Sequence, residues 1–284
     1  MLSTLKNFIK SRPTLFAFLR PIVQIARWFS PAQIRSTFIK RRCWRRFSRN
    51  PIITVRQSAI VSQFHAISPK NYWHIYSNRN EMNSYLNSAL RPGDTVLDIG
   101  GHVGAYTVPI AKFVGPSGHV SVFEPEDEGR AAIVRNLALN SIGNCTVFNF
   151  AIGDKDANVE FFVRPEKDTH SIFEKSNAPS PLGILERKVV EMRSIDSLLK
   201  STTITQPQFI KLDVEGAELD ALDGMRETIK GVRAIFVECH DALKVDLGLG
   251  EPVELVSEKL RELGALRITQ TDQYHVLAFF NDTF

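Results

Sequence analysis

The sequence predicts an α/β protein with a doubly wound, mostly parallel sheet that is closed by an antiparallel C-terminal hairpin. Apolar runs typical of buried strands alternate with segments of helical periodicity, and this alternation builds parallel sheets. The last two apolar segments, residues 265–270 and 274–280, have no helix between them. Strands joined by so short a connection pair antiparallel, so the sheet is expected to end in a hairpin.

The first half of the predicted sheet begins with the apolar run "TVLDIG". The elements expected here are strands at 95–100, 118–126 and 144–154 and helices at 103–114 and 126–142. Pro109 must lie near the first turn of its helix, because proline breaks a helix interior. In the second helix, helical spacing of apolar residues predicts a buried face made of Ala131, Val134, Leu137 and Ala138.

The second half of the predicted sheet contains the strongest strand, "QFIKLDVEG". The elements expected here are an antiparallel strand at 158–165, strands at 208–216 and 233–240, and helices at 217–230 and 251–264. Residues 164–187 lose periodicity and are predicted to form a loop or lid.

Charge divides the chain into two parts. Residues 1–80 contain 15 Lys and Arg and no Asp or Glu, whereas residues 81–284 contain 20 basic and 31 acidic residues. We therefore predict a basic N-terminal helical extension over 1–80 and an acidic α/β domain over 81–284. The three cysteines are far apart, so a reducing, cytoplasmic location is expected rather than a disulfide framework or a zinc site.

The extension contains an apolar segment, "PTLFAFLRPIVQIARWF" (13–29), which Arg20 and Pro21 interrupt. No run of eighteen apolar residues occurs in the chain, so no transmembrane helix is predicted. Three interpretations stay open for residues 1–50: peripheral contact with an anionic membrane, simple packing on the domain, or a targeting segment.

The stretch "VLDIGGHVGAY" (96–106) has the strand, the glycines and the helix start of a nucleotide-binding loop. The dinucleotide fingerprint requires G-x-G-x-x-G, but His102 and Ala105 occupy its second and third glycine positions. The phosphate loop of ATPases requires a Lys after its last glycine, and none follows Gly104. Neither common phosphate-binding loop therefore fits.

An acid, Asp98, lies just before the glycines, where it would repel a phosphate. It suits a cationic ligand, and S-adenosylmethionine carries a sulfonium and an ammonium but no phosphate. Gly100 and Gly104 would let its methionine portion approach the backbone. Glu124, at the end of the second strand, would accept the ribose hydroxyls. These four residues predict an S-adenosylmethionine site.

Six segments of the chain together resemble the FkbM-type methyltransferases: "GDTVLDIGGHVGAYT", "VFEPE", "NFAIGD", "RSIDSLL", "FIKLDVEGAELDALDGM" and "FVECH". The resemblance covers residues 81–280. It implies a Rossmann-like class I methyltransferase fold with a seven-stranded sheet, S-adenosylmethionine as cofactor, and O-methylation of a hydroxyl on a sugar, glycan, glycolipid or natural product. It further implies that Ala151 and Ile152 lie beside adenine. The family usually has Ala-Asn at Gly101-His102, which leaves the contact of His102 open.

Acids and a histidine end the later strands. Asp213 and Glu215 end one strand, and Glu238 and His240 end the next. Ligands of such sheets bind at the carboxyl ends of the strands, so these side chains should converge. We predict that Asp213, Glu215 or His240 is the general base that takes the proton from a substrate hydroxyl.

A divalent metal is the alternative use of this cluster. Asp213, Glu238 and His240 could bind Mg²⁺ or Mn²⁺, but no recognised metal spacing is present, and the base is preferred. Lys211 is expected to pair with these acids. Glu218 is expected to be a helix-start carboxylate stabilised by the helix dipole rather than a catalytic group.

Two other functions remain as alternatives. The basic extension could bind RNA phosphates for ribose O-methylation. An acidic catalytic face is a poor surface for a polyanion, however, so nucleic acid is not the expected partner. A non-catalytic binding protein on the same fold is the other alternative.

Overall fold

The structure, a computed structural model, describes residues 45–57, 59–69, 71, 72, 75, 88–163, 186–240 and 251–281. Its strands are β1 Ile52–Gln57, β2 Ile60–His65, β3 Thr95–Ile99, β4 His119–Phe123, β5 Cys145–Phe148, β6 Ala151–Ile152, β7 Ala157–Val163, β8 Glu186–Arg193, β9 Phe209–Leu212, β10 Ala234–Glu238, β11 Arg267–Gln270 and β12 His275–Phe279. Its helices within these ranges are α1 Thr107–Val114, α2 Asp127–Leu139, α3 Ile195–Lys200, α4 Glu218–Asp223 and α5 Pro252–Glu262.

Seven strands form the central sheet, in the order β5-β4-β3-β9-β10-β12-β11. Five neighbouring strands of this sheet pair parallel, in the order β5-β4-β3-β9-β10. β12 pairs antiparallel with both β10 and β11. The predicted doubly wound sheet with an antiparallel C-terminal hairpin is therefore confirmed. The strand order reverses between β3 and β9, and sheets of this kind bind ligands at such a point, beyond the carboxyl ends of the strands.

Apolar side chains cover both faces of this sheet. In β3, Val96 packs in the core shared with α1 and α2, while Leu97 and Ile99 pack in the core shared with α4 and α5. Neighbouring residues of a strand point to opposite faces, so a strand covered on both sides is a continuous apolar run. This explains why the "TVLDIG" run predicts its strand correctly.

The buried face of α2 differs from the predicted one. Of the four predicted residues only Leu137 is buried, whereas Ala131, Val134 and Ala138 are exposed. The residues that face the core are Gly129, Ala132, Ile133, Asn136 and Leu137. Asn136 belongs to this face because its side chain accepts the backbone N–H of His65 and donates to the backbone oxygen of Val103. A search for apolar residues cannot detect a polar residue that is buried through bonds to the backbone. The predicted buried face of α2 is therefore rotated about the helix axis from the observed one.

Residues 52–65, within the predicted helical extension over 1–80, form a β-hairpin made of β1 and β2. Ile53, Val55 and Phe64 are buried in the core under α1 and α2. The Lys112 ammonium of α1 donates to the backbone oxygen of Val61. This part of the extension is therefore packed onto the α/β domain. Residues 1–44 lie outside the described residues, as does most of the proposed membrane-contact segment.

A smaller sheet, in the order β6-β8-β7, lies beside the central one. The predicted strand at 144–154 is divided between β5 of the central sheet and β6 of this smaller sheet. β7 pairs antiparallel with β8, as expected for the segment at 158–165. Residues 164–185 of the predicted loop lie outside the described residues. No helix in the described part of the chain is long and apolar enough to cross a membrane.

Candidate active site

The loop between β3 and α1 is fastened to the end of β4. The backbone N–H groups of Gly100 and Gly101 donate to the oxygen of Phe123, at 2.9 and 3.1 Å. α1 begins only at Thr107, four residues later than predicted, because the glycine loop occupies the residues before it. Pro109 therefore lies in the first turn of α1, as expected.

The two predicted cofactor glycines are required by the chain itself. Gly100 has φ +83°, and a Cβ atom there would lie 1.7 Å from the backbone oxygen of Asp213. The atom that a side chain at position 100 would meet therefore belongs to the residue that follows β9, and not to a ligand. Gly104 has φ +82°, a conformation that favours glycine, and its nearest neighbour would be Ile133 at 3.6 Å. A cofactor-contacting role for both glycines stays a prediction.

Asp98 is completely buried, with its Oδ2 atom bonded to the Thr107 hydroxyl. Its Oδ1 atom has no hydrogen-bond partner among the described residues and lies 3.7 Å from the Lys211 ammonium. Burial raises the pKa of Asp98, against the opposing effects of Lys211 and Thr107. Asp98 therefore faces a cation that belongs to the chain itself, the Lys211 ammonium, and its contacts with Lys211 and Thr107 hold the glycine loop. Direct contact between Asp98 and a cofactor stays a prediction.

Glu124 follows β4 and is almost fully buried. Its Oε2 atom accepts the backbone N–H of His102 at 2.7 Å, and its Oε1 atom accepts that of Glu126 at 2.9 Å. Burial raises the pKa of Glu124, while the bonds from Glu126 and His102 lower it. His102 has φ +49°, a conformation that Asn adopts more readily than most residues. The backbone of His102 therefore orients the carboxylate that is predicted to bind ribose.

Ala151 and Ile152 form β6 and are both buried. They lie just past the end of β5 and pair with Met192 and Arg193 of β8. This places them beyond the same edge of the sheet as Glu124, since β5 is the neighbour of β4. Their contact with adenine stays a prediction.

The predicted base residues converge on the imidazole of His240. β9 ends at Leu212 rather than at residue 216, and Glu215 has φ +54° in the turn that follows. The two carboxylates therefore reach His240 through a turn and not along one side of a strand. Three oxygens surround its Nε2 atom: Glu215 Oε2 at 3.4 Å, Asp213 Oδ1 at 3.6 Å and Glu238 Oε1 at 3.7 Å.

Glu218 holds the other side of this imidazole. Its side chain is 0% exposed, and its Oε1 atom lies 2.7 Å from His240 Nδ1 and accepts the backbone N–H of Gly216 at 3.0 Å. An ionised carboxylate only accepts, so Nδ1 carries the hydrogen and Nε2 faces the three other carboxylates. Glu218 is the first residue of α4, as expected for a helix-start carboxylate, and it is also the nearest group to the predicted catalytic histidine.

The charges of the cluster shift one another. Burial raises the pKa of Glu215 to about 8, with Asp213 and Glu238 adding to the increase and His240 opposing it. Burial by itself lowers the pKa of His240, but the carboxylates of Glu215 and Glu218 outweigh it and hold that pKa well above its usual value. Groups perturbed in this way are characteristic of functional sites.

A second histidine, which the sequence analysis does not identify, continues the cluster. His275 of β12 is buried, with Nε2 3.4 Å from Glu238 Oε2 and Nδ1 2.8 Å from Asp272 Oδ1. Burial lowers its pKa, but Glu238 and Asp272 raise it, to about 9. No local motif marks His275, since it reaches Glu238 only because β12 inserts between β10 and β11.

Lys211 connects the base cluster to the glycine loop. Its ammonium is buried and lies 2.8 Å from Asp213 Oδ2 and 2.9 Å from the backbone oxygen of Gly100. Burial lowers its pKa, but Asp213 and Asp98 outweigh this and raise it. The expected pairing of Lys211 with the acids is confirmed. The two halves of the predicted site therefore share one edge of the sheet.

This fold and this edge place the protein among the S-adenosylmethionine-dependent methyltransferases with a Rossmann-like class I fold. The chain belongs to the methyltransferase FkbM family, whose domain model matches residues 98–264. The match spans both the glycine loop and the segments that carry Asp213 and His240.

The chain is similar to named relatives at low identity. It is 24% identical over 196 residues to hexuronic acid methyltransferase AglP of Haloferax volcanii, which is 68% of this chain and 75% of AglP. It is 23% identical over 167 residues to 2-O-methyltransferase NoeI of Sinorhizobium fredii, or 53% and 65% of the two chains. A solved FkbM methyltransferase from Methylobacillus flagellatus has a TM-score of 0.44 and 16% identity over 75% of this chain, and 54% of its own length is covered.

Proposed function

We propose that the protein transfers a methyl group from S-adenosylmethionine to a hydroxyl oxygen of a sugar, glycan, glycolipid or related natural product. The observation that carries this proposal is the bridge made by Lys211, which contacts Asp213 of the base cluster and Gly100 of the predicted cofactor loop. A group that accepts a proton and a loop that holds a methyl donor must be neighbours in such an enzyme.

Glu124 supports the fit of the cofactor to this edge. Each of its oxygens accepts one backbone N–H, and a carboxylate oxygen has two lone pairs, so each can still accept a ribose hydroxyl. The loop that contains Gly100 and Gly104 would hold the methionine portion, and Ala151 and Ile152 would border the adenine. Asp98 would hold this loop in position through its contacts with Thr107 and Lys211.

S-adenosylmethionine would supply a methyl group on a positively charged sulfur; transfer to the acceptor oxygen would leave S-adenosylhomocysteine and release the proton of the hydroxyl. A hydroxyl oxygen is a weak nucleophile until its proton leaves. The predicted groups that could receive the proton are Asp213, Glu215 and His240. The raised pKa values of Glu215 and His240 mean that these two carry a proton near neutral pH, so the carboxylate of Asp213 is the first candidate. Glu218 would keep the imidazole in place, and Lys211 would keep Asp213 beside the loop.

The named relatives support a sugar-type acceptor. AglP is a hexuronic acid methyltransferase and NoeI a 2-O-methyltransferase by name. The acidic character of the cluster also favours a neutral polyol over a polyanion such as RNA, because four carboxylates surround His240.

We also propose that residues 1–50 contact an anionic membrane surface, which would keep a cytoplasmic enzyme close to a lipid-linked acceptor. The support is compositional: residues 1–80 contain 15 Lys and Arg and no acids, and an apolar aromatic segment lies among them. Basic amphipathic segments of this kind bind anionic lipid surfaces.

A methyl-transfer assay with labelled cofactor tests the proposed function. Extracted glycans, glycolipids and RNA would be offered in parallel, and the labelled product would be treated with enzymes that release sugars. We expect label on an alkali-stable methyl ether of a sugar. Label in RNA ribose alone, or cofactor binding without transfer to any acceptor, would contradict the proposal.

A further inference from the structure

Three side chains at the ends of β9 and β10 lie close enough together to hold one cation. Asp213 Oδ1, Glu238 Oε1 and His240 Nε2 come from the ends of β9 and β10, and suitable atoms of these three residues lie within 4.8 Å of one another. The separations from Nε2 are 3.6 Å to Asp213 and 3.7 Å to Glu238. A direct charged N–H···O bond is shorter, at about 2.8 Å.

These separations suit atoms that share an ion. Ligands at about 2.1 Å from a six-coordinate ion lie about 3 Å apart when they are neighbours. A small inward movement of the three side chains would therefore close them around one cation. The side chains are partly exposed, which leaves the remaining coordination positions open to water or to an acceptor oxygen.

A second observation, outside this set of three, is the carboxylate of Glu218. Its side chain is 0% exposed and its Oε2 atom has no hydrogen-bond partner among the described residues, while Oε1 binds His240 Nδ1 at 2.7 Å. A metal-bound histidine commonly donates its other ring N–H to such a carboxylate, which fixes the tautomer and aims the free nitrogen at the metal.

We propose that Asp213, Glu238 and His240 bind one small divalent cation of the Mg²⁺ or Mn²⁺ class, with Glu218 as the positioning residue for His240. The role of the ion in catalysis rests on the proposed function: next to an acceptor hydroxyl it would weaken the O–H bond. The alternative to a metal ion between these three side chains is a proton on His240 Nε2.

Binding of Mn²⁺ alone, to the full chain freed of metal by chelator and read by electron paramagnetic resonance, tests the site without any methyl transfer. We expect one Mn²⁺ per chain, displaced by Mg²⁺. Glu238→Gln and His240→Gln should each weaken binding at least tenfold, and Glu218→Gln about tenfold, as loss of an orienting partner does elsewhere. The matched control is Glu191→Gln, an exposed residue of β8, which should bind as the wild type does.

The possible results separate this inference from the proposed function. Wild-type protein that binds S-adenosylmethionine but takes up no Mn²⁺ at millimolar concentration would overturn the metal site, and so would equal binding by the wild type, Glu238→Gln and His240→Gln. Hydroxyl methylation that persists in chelator would then leave the proposed function standing. Mn²⁺ bound at this site together with no methylation of any hydroxyl would support the site and reject the proposed function. Cofactor binding by each variant is the check that it has folded.

Discussion

The Nδ1 atom of His240 lies 2.7 Å from Oε1 of Glu218, a carboxylate with no solvent exposure. Because α4 begins at Glu218 and β10 ends just before His240, this contact joins two segments that are 22 residues apart in sequence. It fixes which ring nitrogen faces the three carboxylates at the sheet edge. The rest of the candidate site depends on this orientation.

Glu218→Ala should lower the turnover number for methyl transfer by about 100-fold, and Glu218→Gln by about tenfold, since glutamine still offers an acceptor to Nδ1. The KM for S-adenosylmethionine should change little, because the Glu218 carboxylate contacts His240 and the Gly216 N–H, not a predicted cofactor residue. Steady-state kinetics measures both constants. The exposed residue Glu258 of α5 supplies the control, Glu258→Ala, and wild-type turnover in both Glu218 variants would show that the contact has no part in the reaction.

Asp213→Ala should retain the fold and lose most turnover, at least 100-fold, because it removes a carboxylate that faces His240 and the partner of Lys211. Lys211 keeps its bond to the oxygen of Gly100, so cofactor binding should be reduced less than turnover. Labelled methyl transfer and calorimetry measure the two effects separately. Exposed Asp154, changed to Ala, is the comparison. An Asp213→Ala enzyme with near-normal turnover would exclude Asp213 from the reaction.

Glu124→Ala should abolish measurable binding of S-adenosylmethionine. The variant loses the carboxylate predicted to hold the ribose and also the partner of the His102 N–H. Isothermal titration calorimetry measures this, with Glu128→Ala as the matched control, since Glu128 lies on the exposed side of the first turn of α2. Equal affinity of Glu124→Ala and the wild type for S-adenosylmethionine would show that Glu124 does not bind the cofactor.

Gly100→Ala should destabilise the protein by about 3 kcal/mol, from a left-handed backbone and an overpacked contact together. The cause is specific: the added Cβ would lie 1.7 Å from the backbone oxygen of Asp213. Gly264, after the end of α5, has φ +97° and nothing within 4 Å of its Cβ position, so Gly264→Ala measures the backbone cost alone and should destabilise by about 1 kcal/mol. Urea unfolding measures both values, and equal costs would contradict the close contact.

Deletion of residues 1–44 should leave a folded domain that binds S-adenosylmethionine but no longer sediments with anionic vesicles. The cut keeps Phe47, whose ring packs edge-on against Tyr72 with 6.5 Å between centroids. The control is the full chain with zwitterionic vesicles, to which it should bind weakly, because the attraction to anionic lipid is electrostatic. Equal sedimentation of the two proteins with anionic vesicles would refute membrane contact through this segment.

The parts of the fold that were predictable depend on local pattern. The run from Thr95 to Ile99 is apolar on both faces of its strand, and the final two strands lack a helix between them, so both features follow from sequence alone. The face of α2 could not be predicted, because Asn136 is buried through bonds to the backbone of a distant hairpin. The hairpin at 52–65 could not be predicted from the basic composition of residues 1–80, because strand pairing and the burial of Ile53, Val55 and Phe64 under α1 and α2 form it.

The sequence by itself determined which chemical groups end which strands, because strand order and strand ends are encoded in apolar runs and the residues that stop them. It therefore determined Asp98, Glu124, Asp213, Glu238 and His240 as candidates, with the doubly wound sheet that gathers them. Only the tertiary structure decided how they meet: Lys211 between the loop and Asp213, Glu218 behind His240, and His275 beside Glu238. Those contacts join segments that are adjacent only after the sheet has formed, and no local pattern encodes a distance of a few ångströms between side chains far apart in the chain.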